Sequence, residues 1–190
     1  MKLSRSQITN ALWIVAILLI LFTPVRYHLR MFVGNILFGS THIVAKDDRE
    51  ILENYNWNLI DLQGNTLSFQ DLKGKVVFVN FWATWCPPCV AELPSLVRLH
   101  QEYGSKVVFA FVAEDEEEKV RKFLVKKGYQ LPVYFETSRT PDLLFSQTIP
   151  ATYIISKTGE IVVKEFGVAK WDSNRNKQLL EELLAESPTF

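Results

Sequence analysis

The chain has 190 residues, 48% hydrophobic and 22% charged, and its 21 basic and 21 acidic side chains cancel. That length and composition fit one globular domain with something left over, and exclude a chain too poor in apolar residues to fold. Zero net charge without any block of Lys or Arg gives no pull toward a phosphate backbone, which argues against a nucleic-acid partner.

The first feature along the chain is apolar. Residues 6–25 carry no charge, lie between Arg5 and Arg26, and centre on the run ALWIVAILLILF at 11–22. At about 1.5 Å rise per residue such a helix spans roughly 30 Å, the thickness of a bilayer's hydrocarbon core. The expected organisation is a short tail (1–7), a transmembrane signal-anchor (8–25), a juxtamembrane segment and linker (26–56) and a soluble domain (57–190). A cleavable signal peptide is the main rival, because the strictly apolar run has the length of an h-region, but no small-x-small cleavage site follows it. A buried soluble helix is a weaker one. Lys2 and Arg5 on one side and Arg26 and Arg30 on the other leave the positive-inside rule nearly silent about orientation. A second apolar patch at 31–39 is too short to span again and reads as an interfacial or packed helix.

From Trp57 onward, β-rich runs alternate with helical ones. WNLIDLQGNTLSF reads as a hairpin turning at Gln63-Gly64-Asn65, and KVVFVNFW, residues 75–82, as a strand buried on both faces. A helix is expected over 87–103, a strand over 107–112, and a helix over 116–127 with Asp115 as N-cap and Glu118 as its capping-box partner. The acidic run at 114–118 is then the charge favoured at a helix N-terminus. Strands at 133–135, 152–155 and 160–166 follow, with Lys157-Thr158-Gly159 turning between the last two, and a closing helix at 174–184. This order predicts an α/β fold with a mixed sheet covered on both faces.

Both cysteines of the chain lie in FWATWCPPCVAELP, at Cys86 and Cys89. If Pro87 takes the first helical position, where its missing N–H costs nothing, Cys86 is the N-cap and its sulfur sits at the positive helix end. A thiolate there is stabilised, which is how a cysteine becomes a nucleophile. Pro87 and Pro88 have no N–H to offer, so the Cys89 amide is the expected donor and the stabilisation is modest. Cys89 follows at i+3, within the Cα separation that a disulfide tolerates. A redox-active dithiol is one reading; an inert staple and a metal half-site are the others. A staple closing so short a loop contributes only about 2 kcal/mol. Zinc takes four ligands, while His28, His42 and His100 are scattered. Glu92, one further i+3 step along the same face, is a candidate to take the proton of Cys89 and return it; an exposed helical glutamate is the bland alternative.

Trp-Cys-Pro-Pro-Cys after an apolar strand, Glu92 three residues past the second cysteine, Pro94 two later, and TIPATYIISKTGEIV further on together resemble the TlpA/ResA-like branch of the thioredoxin superfamily. The resemblance covers about residues 57–184. It implies a thioredoxin-like fold with an added N-terminal β-hairpin and a central helical insert, here at 116–127. It also implies a cis peptide at Ile149-Pro150 packed against the disulfide, with Trp85, Ile149 and Pro150 binding substrate, and no cofactor beyond the dithiol. Two positions depart from the wider pattern. Asn80 stands where thioredoxin proper has a buried aspartate, leaving the proton to Glu92, and Thr148 stands where a glycine is usual two residues before the cis proline.

An anchor joined to a reactive dithiol implies an oxidising, extracytoplasmic space. The expected protein is therefore single-pass in the cytoplasmic (inner) membrane, with its catalytic domain in the periplasm or its equivalent. It would act as a thiol–disulfide oxidoreductase that reduces protein disulfides, for example in apocytochrome c during cytochrome c maturation, and is itself reduced by a membrane-embedded thiol donor. A disulfide oxidase and a copper(I) carrier using the same two thiolates are the alternatives. Peroxide reduction would need a Thr-x-x-Cys-like site, which the chain lacks.

Overall fold

The computed structural model describes Arg5, Trp13 and residues 41–187. Apart from Trp13, the anchor expected at 8–25 lies outside the described residues, as does the apolar patch at 31–39, and among the described residues no helix is long and apolar enough to cross a membrane.

The hairpin comes first, as β1 (Asn58–Asp61) and β2 (Thr66–Ser68). Its turn is organised by Asp61, whose Oδ1 accepts the Gln63 and Asn65 amides at 2.9 and 2.8 Å. Gly64 supplies the left-handed residue at φ +87°, a conformation that a side chain would strain. There follow β3 (Val77–Trp82), α1 (Pro87–Tyr103), β4 (Val108–Ala113), α2 (Glu117–Lys127), β5 (Val133–Glu136), β6 (Ala151–Ile155), β7 (Ile161–Phe166) and α3 (Asn174–Ala185).

The seven strands form one sheet in the order β2-β1-β5-β4-β3-β6-β7. Strands β3, β4 and β5 run parallel, whereas β1–β2, β1–β5, β3–β6 and β6–β7 pair antiparallel. The parallel crossovers are made by α1 and α2, the connections that parallel neighbours require. Every residue of β3 is buried, as its unbroken apolar run predicts for a central strand.

The two faces are closed differently. Buried residues of all three helices, among them Leu93, Leu96 and Leu99 of α1, Val120 of α2 and Leu180 of α3, pack with Phe78, Trp82, Phe109 and Phe111 on one face. Among the described residues the other face is closed without an α-helix, by Leu52, Trp57, Phe69, Leu72 and Leu144 over Val77, Val79, Phe81, Val112 and Tyr153. Two of these come from the short 3-10 turn Phe69–Leu72 and one from the 3-10 turn Asp142–Leu144.

Two local expectations change. The helix α2 starts one residue later than expected, with Glu116 as N-cap and no side-chain cap bond. The Asp115 carboxylate is engaged elsewhere: it accepts the Thr84 amide at 3.0 Å and the Thr84 hydroxyl, tying the loop after β3 to the loop after β4. Part of the polar stretch read as a linker is docked along β7. Val44 donates to the Val162 carbonyl at 2.9 Å, Ile161 donates to the Glu50 carbonyl at 2.8 Å, and Arg49 pairs with Glu160 at 2.8 Å.

Candidate active site

The site forms where β3 ends and α1 begins. Cys86 is the N-cap of α1 in extended conformation, at φ −91° and ψ 102°, with Pro87 and Pro88 in the first helical turn. Its Sγ accepts the Cys89 amide at 3.2 Å, the one backbone donor that the two prolines leave. Cys86 and Cys89 form a disulfide with a Cα separation of 5.3 Å. Cys86 is 4% exposed and Cys89 fully buried, so of the two cysteines only Cys86 retains any exposure. Trp85 stands beside it, 64% exposed, an apolar surface that the domain's own core leaves open.

Ile149-Pro150 is a cis peptide, and the Ile149 carbonyl oxygen lies 3.8 Å from Cys86 Sγ. The tertiary fold thus brings Ile149, and with it the adjacent Pro150, to the sulfur, while Trp85 is there as the chain neighbour of Cys86. At the same end of the sheet, past β3, β4 and β5, a cleft of about 290 Å³ is lined by Phe81, Glu114, Glu136, Thr140, Phe145 and Ser146. Burial, and then the charge of Glu136, raises the Glu114 pKa above the usual carboxylate range.

Glu92 is not a surface glutamate. It is 2% exposed, and its carboxylate meets three donors. Asn80 Nδ2 reaches Oε1 at 2.9 Å, while Trp171 Nε1 and the Ala169 amide reach Oε2 at 3.0 and 3.3 Å. Burial pushes its pKa up to about 7, against the lowering effect of these hydrogen bonds. A carboxyl poised there can hold or release a proton at working pH.

The sequence alone does not reveal Trp171 or Thr152 as partners of this group. Thr152 lies directly across from Asn80 in the β3–β6 ladder and accepts its Nδ2 at 2.8 Å. Trp171 belongs to a loop strapped over α1: its amide donates to Ser95 Oγ at 3.2 Å, and Arg98 pairs with Asp172 at 2.6 Å. The strap is pinned by buried Asn176, whose Nδ2 donates to the Lys170 and Trp171 carbonyls, each at 3.2 Å. Asn176→Ala leaves both carbonyls without that donor and should lower stability by about 2 kcal/mol, read from the chemical-denaturation midpoint; an unchanged midpoint would show that the strap holds without it.

A helix N-cap cysteine in a buried Cys-Pro-Pro-Cys disulfide, on a mixed sheet of this topology and beside a cis proline, defines a thioredoxin-like thiol–disulfide oxidoreductase. Residues 53–164 match the AhpC/TSA family. The thiol-disulfide oxidoreductase ResA of Halalkalibacterium halodurans is 33% identical over 132 residues, 68% of this chain and 72% of that protein. ResA of Bacillus cereus is 35% identical over 115 residues, 59% of this chain and 66% of that one. Among solved structures, a thiol:disulfide interchange protein of the thioredoxin family from Chlorobium tepidum superposes with a TM-score of 0.56 at 25% identity, covering 70% of this chain and 97% of that chain. The chain belongs to the ResA-like thiol–disulfide oxidoreductases of the thioredoxin superfamily, and it is an enzyme.

Proposed function

We propose that the protein is a membrane-anchored, extracytoplasmic reductase of protein disulfides. The anchor is assigned to residues 8–25 on the charge-free window of the sequence. In the proposed cycle the Cys86 thiolate attacks one sulfur of a substrate disulfide, and the other substrate sulfur leaves as a thiolate and takes a proton. Glu92 accepts the proton of Cys89, whose thiolate attacks Cys86 Sγ and forms the Cys86–Cys89 disulfide. The second substrate sulfur then leaves and takes the proton back from Glu92. Two electrons have passed to the substrate, and a membrane-embedded thiol donor returns them to the enzyme. A polypeptide such as apocytochrome c, which needs reduced thiols for haem attachment, is the proposed substrate class.

The observation that carries the direction is the Cys86 sulfur with a single backbone donor, the Cys89 amide at 3.2 Å. Strong oxidants hold their reduced form through a heavily stabilised thiolate, with a potential near −120 mV. Pro87 and Pro88 withhold the N–H groups and side-chain donors that such stabilisation needs. The couple should therefore lie closer to thioredoxin's, about −270 mV. Equilibration of the full-length protein in detergent with glutathione buffers tests this. A potential more positive than roughly −150 mV would instead make the protein an oxidase.

A further inference from the structure

We propose that Glu92 gains and gives up its proton at Oε1, and that the side-chain amide of Asn80 turns over with it, presenting Nδ2 to the carboxylate and Oδ1 to the carboxylic acid. This rests on the reading of Glu92 as the proton acceptor of the dithiol.

The two carboxylate oxygens are unlike. Oε2 is held by the Trp171 indole at 3.0 Å and the Ala169 amide at 3.3 Å, donors that have no acceptor to offer in exchange. The indole is itself fixed, fully buried and edge-on to Phe78 with ring centroids 5.1 Å apart. A proton on Oε2 would face two N–H groups. Among the described residues Oε1 meets only Asn80, and an amide carries a donor at one end and an acceptor at the other.

Around Asn80 the hydrogen bonding is incomplete in a particular way. Nδ2 spends its two hydrogens on Glu92 Oε1 at 2.9 Å and Thr152 Oγ1 at 2.8 Å. Its Oδ1 is buried and has no partner among the described residues. Among the described residues the Thr152 side chain makes no other hydrogen bond, so its hydroxyl proton is idle too. An idle acceptor and an idle donor thus sit on adjacent side chains, an uncommon arrangement in a protein interior.

A half-turn of the amide about Cβ–Cγ resolves it once Glu92 is protonated. Oδ1 then occupies the present place of Nδ2 and accepts from both the Glu92 Oε1–H and the Thr152 hydroxyl, matching two lone pairs to two O–H donors. Left unturned, the acid would strand Oδ1, its own O–H and the Thr152 proton; turned, only the amide NH2 lacks partners. The two ends of an amide are nearly equal in size, so the turn leaves the surrounding packing in place. Asn80 and Trp171 are accordingly positioning residues, one following the proton and the other fixing which oxygen carries it.

Few charges bear on this exchange. Glu165 on β7 is the charge acting on Glu92, and it opposes ionisation. The strands β3 and β6 present neutral Asn80 and Thr152, α1 carries Cys89 three residues before Glu92, and Arg98 and Asp172 of α1 and the strap neutralise each other.

The test is a pH titration by NMR of the full-length protein in micelles, with labelled Asn, Thr and Glu. The nuclear Overhauser contact between the Asn80 NH2 and the Thr152 methyl group should be strong near pH 8 and lost near pH 5, with the midpoint of the Glu92 carboxyl carbon shift; in Glu92→Gln it should not vary with pH. Titration of Glu92 without loss of the contact overturns the proposal alone. A carboxyl shift that is flat over this range overturns the proton-acceptor reading and this one together. Kinetics give a second measure. Trp171→Phe removes a donor that holds Oε2 more strongly in the carboxylate than in the acid, and should move the acidic limb of the pH–rate profile upward by about one pH unit. Asn80→Ala removes a partner of both forms and should move it less than half as far. A displacement equal to that of Trp171→Phe would make Asn80 a fixed donor and overturn the turn-over.

Discussion

Cys86→Ser abolishes the reduction of a protein disulfide such as insulin, a loss of at least about a thousandfold, whereas Cys89→Ser still attacks and stalls as a mixed disulfide. The asymmetry follows from position. Cys86 is the N-cap, takes the Cys89 amide on its sulfur at 3.2 Å and retains some exposure, while Cys89 is fully buried behind it. A serine hydroxyl at the N-cap keeps the cap but is hardly ionised near neutral pH, so the fold survives while the nucleophile is lost. The missing bridge closes a loop so short that its removal lowers stability by only about 2 kcal/mol. Insulin turnover and partner trapping, compared for the two single variants, check the assignment. Equal trapping by both would remove it, and the substrate captured on Cys89→Ser would name the physiological partner.

Glu92→Gln has the second largest effect, and it acts on rate and stability in opposite senses. As the proposed proton acceptor of Cys89, Glu92 contributes roughly a hundredfold or more to resolution of the mixed disulfide. In the unsubstituted protein that step should slow as pH falls through about 7, where the buried carboxyl takes up its proton; the Glu92→Gln variant should be slow throughout and lack this inflection. Stability runs the other way. A carboxyl with a folded pKa of about 7 against 4.5 as its ordinary value binds its proton more tightly in the folded state. Its burden on folding is thus complete above pH 7 and disappears as pH falls toward 4.5. Glutamine carries no such burden. The Glu92→Gln variant should therefore be more stable near pH 8, by an amount on the order of 3 kcal/mol, and about equal in stability near pH 4. Denaturation at both pH values measures this; an unchanged difference between them would mean that the fold does not raise the Glu92 pKa.

Much of the molecule is legible in its sequence because the signals are local. The apolar β-branched run before the cysteines reads as a central strand, and Pro87 at the first helical position makes Cys86 the N-cap, as both are in the fold. Both are properties of backbone geometry and solvation over a few residues. The same locality explains the misplaced cap of α2. Asp115 and Glu116 both suit a helix start, and the choice between them was made by Thr84, 31 residues earlier in the chain, whose amide and hydroxyl claim the Asp115 carboxylate.

What tertiary structure alone decided is the environment of Glu92. Its spacing from Cys89 shows the shared helix face, but an exposed and a buried glutamate have the same spacing. Burial came from the strap carrying Ala169 and Trp171, 77 and 79 residues away along the chain, and the pairing with Asn80, itself backed by Thr152, came from neighbouring strands of the sheet. A pKa depends on desolvation and on the donors that converge in space, and neither is a property of a contiguous stretch of sequence. The dithiol could be found by reading along the chain, and the proton chemistry beside it only by folding it.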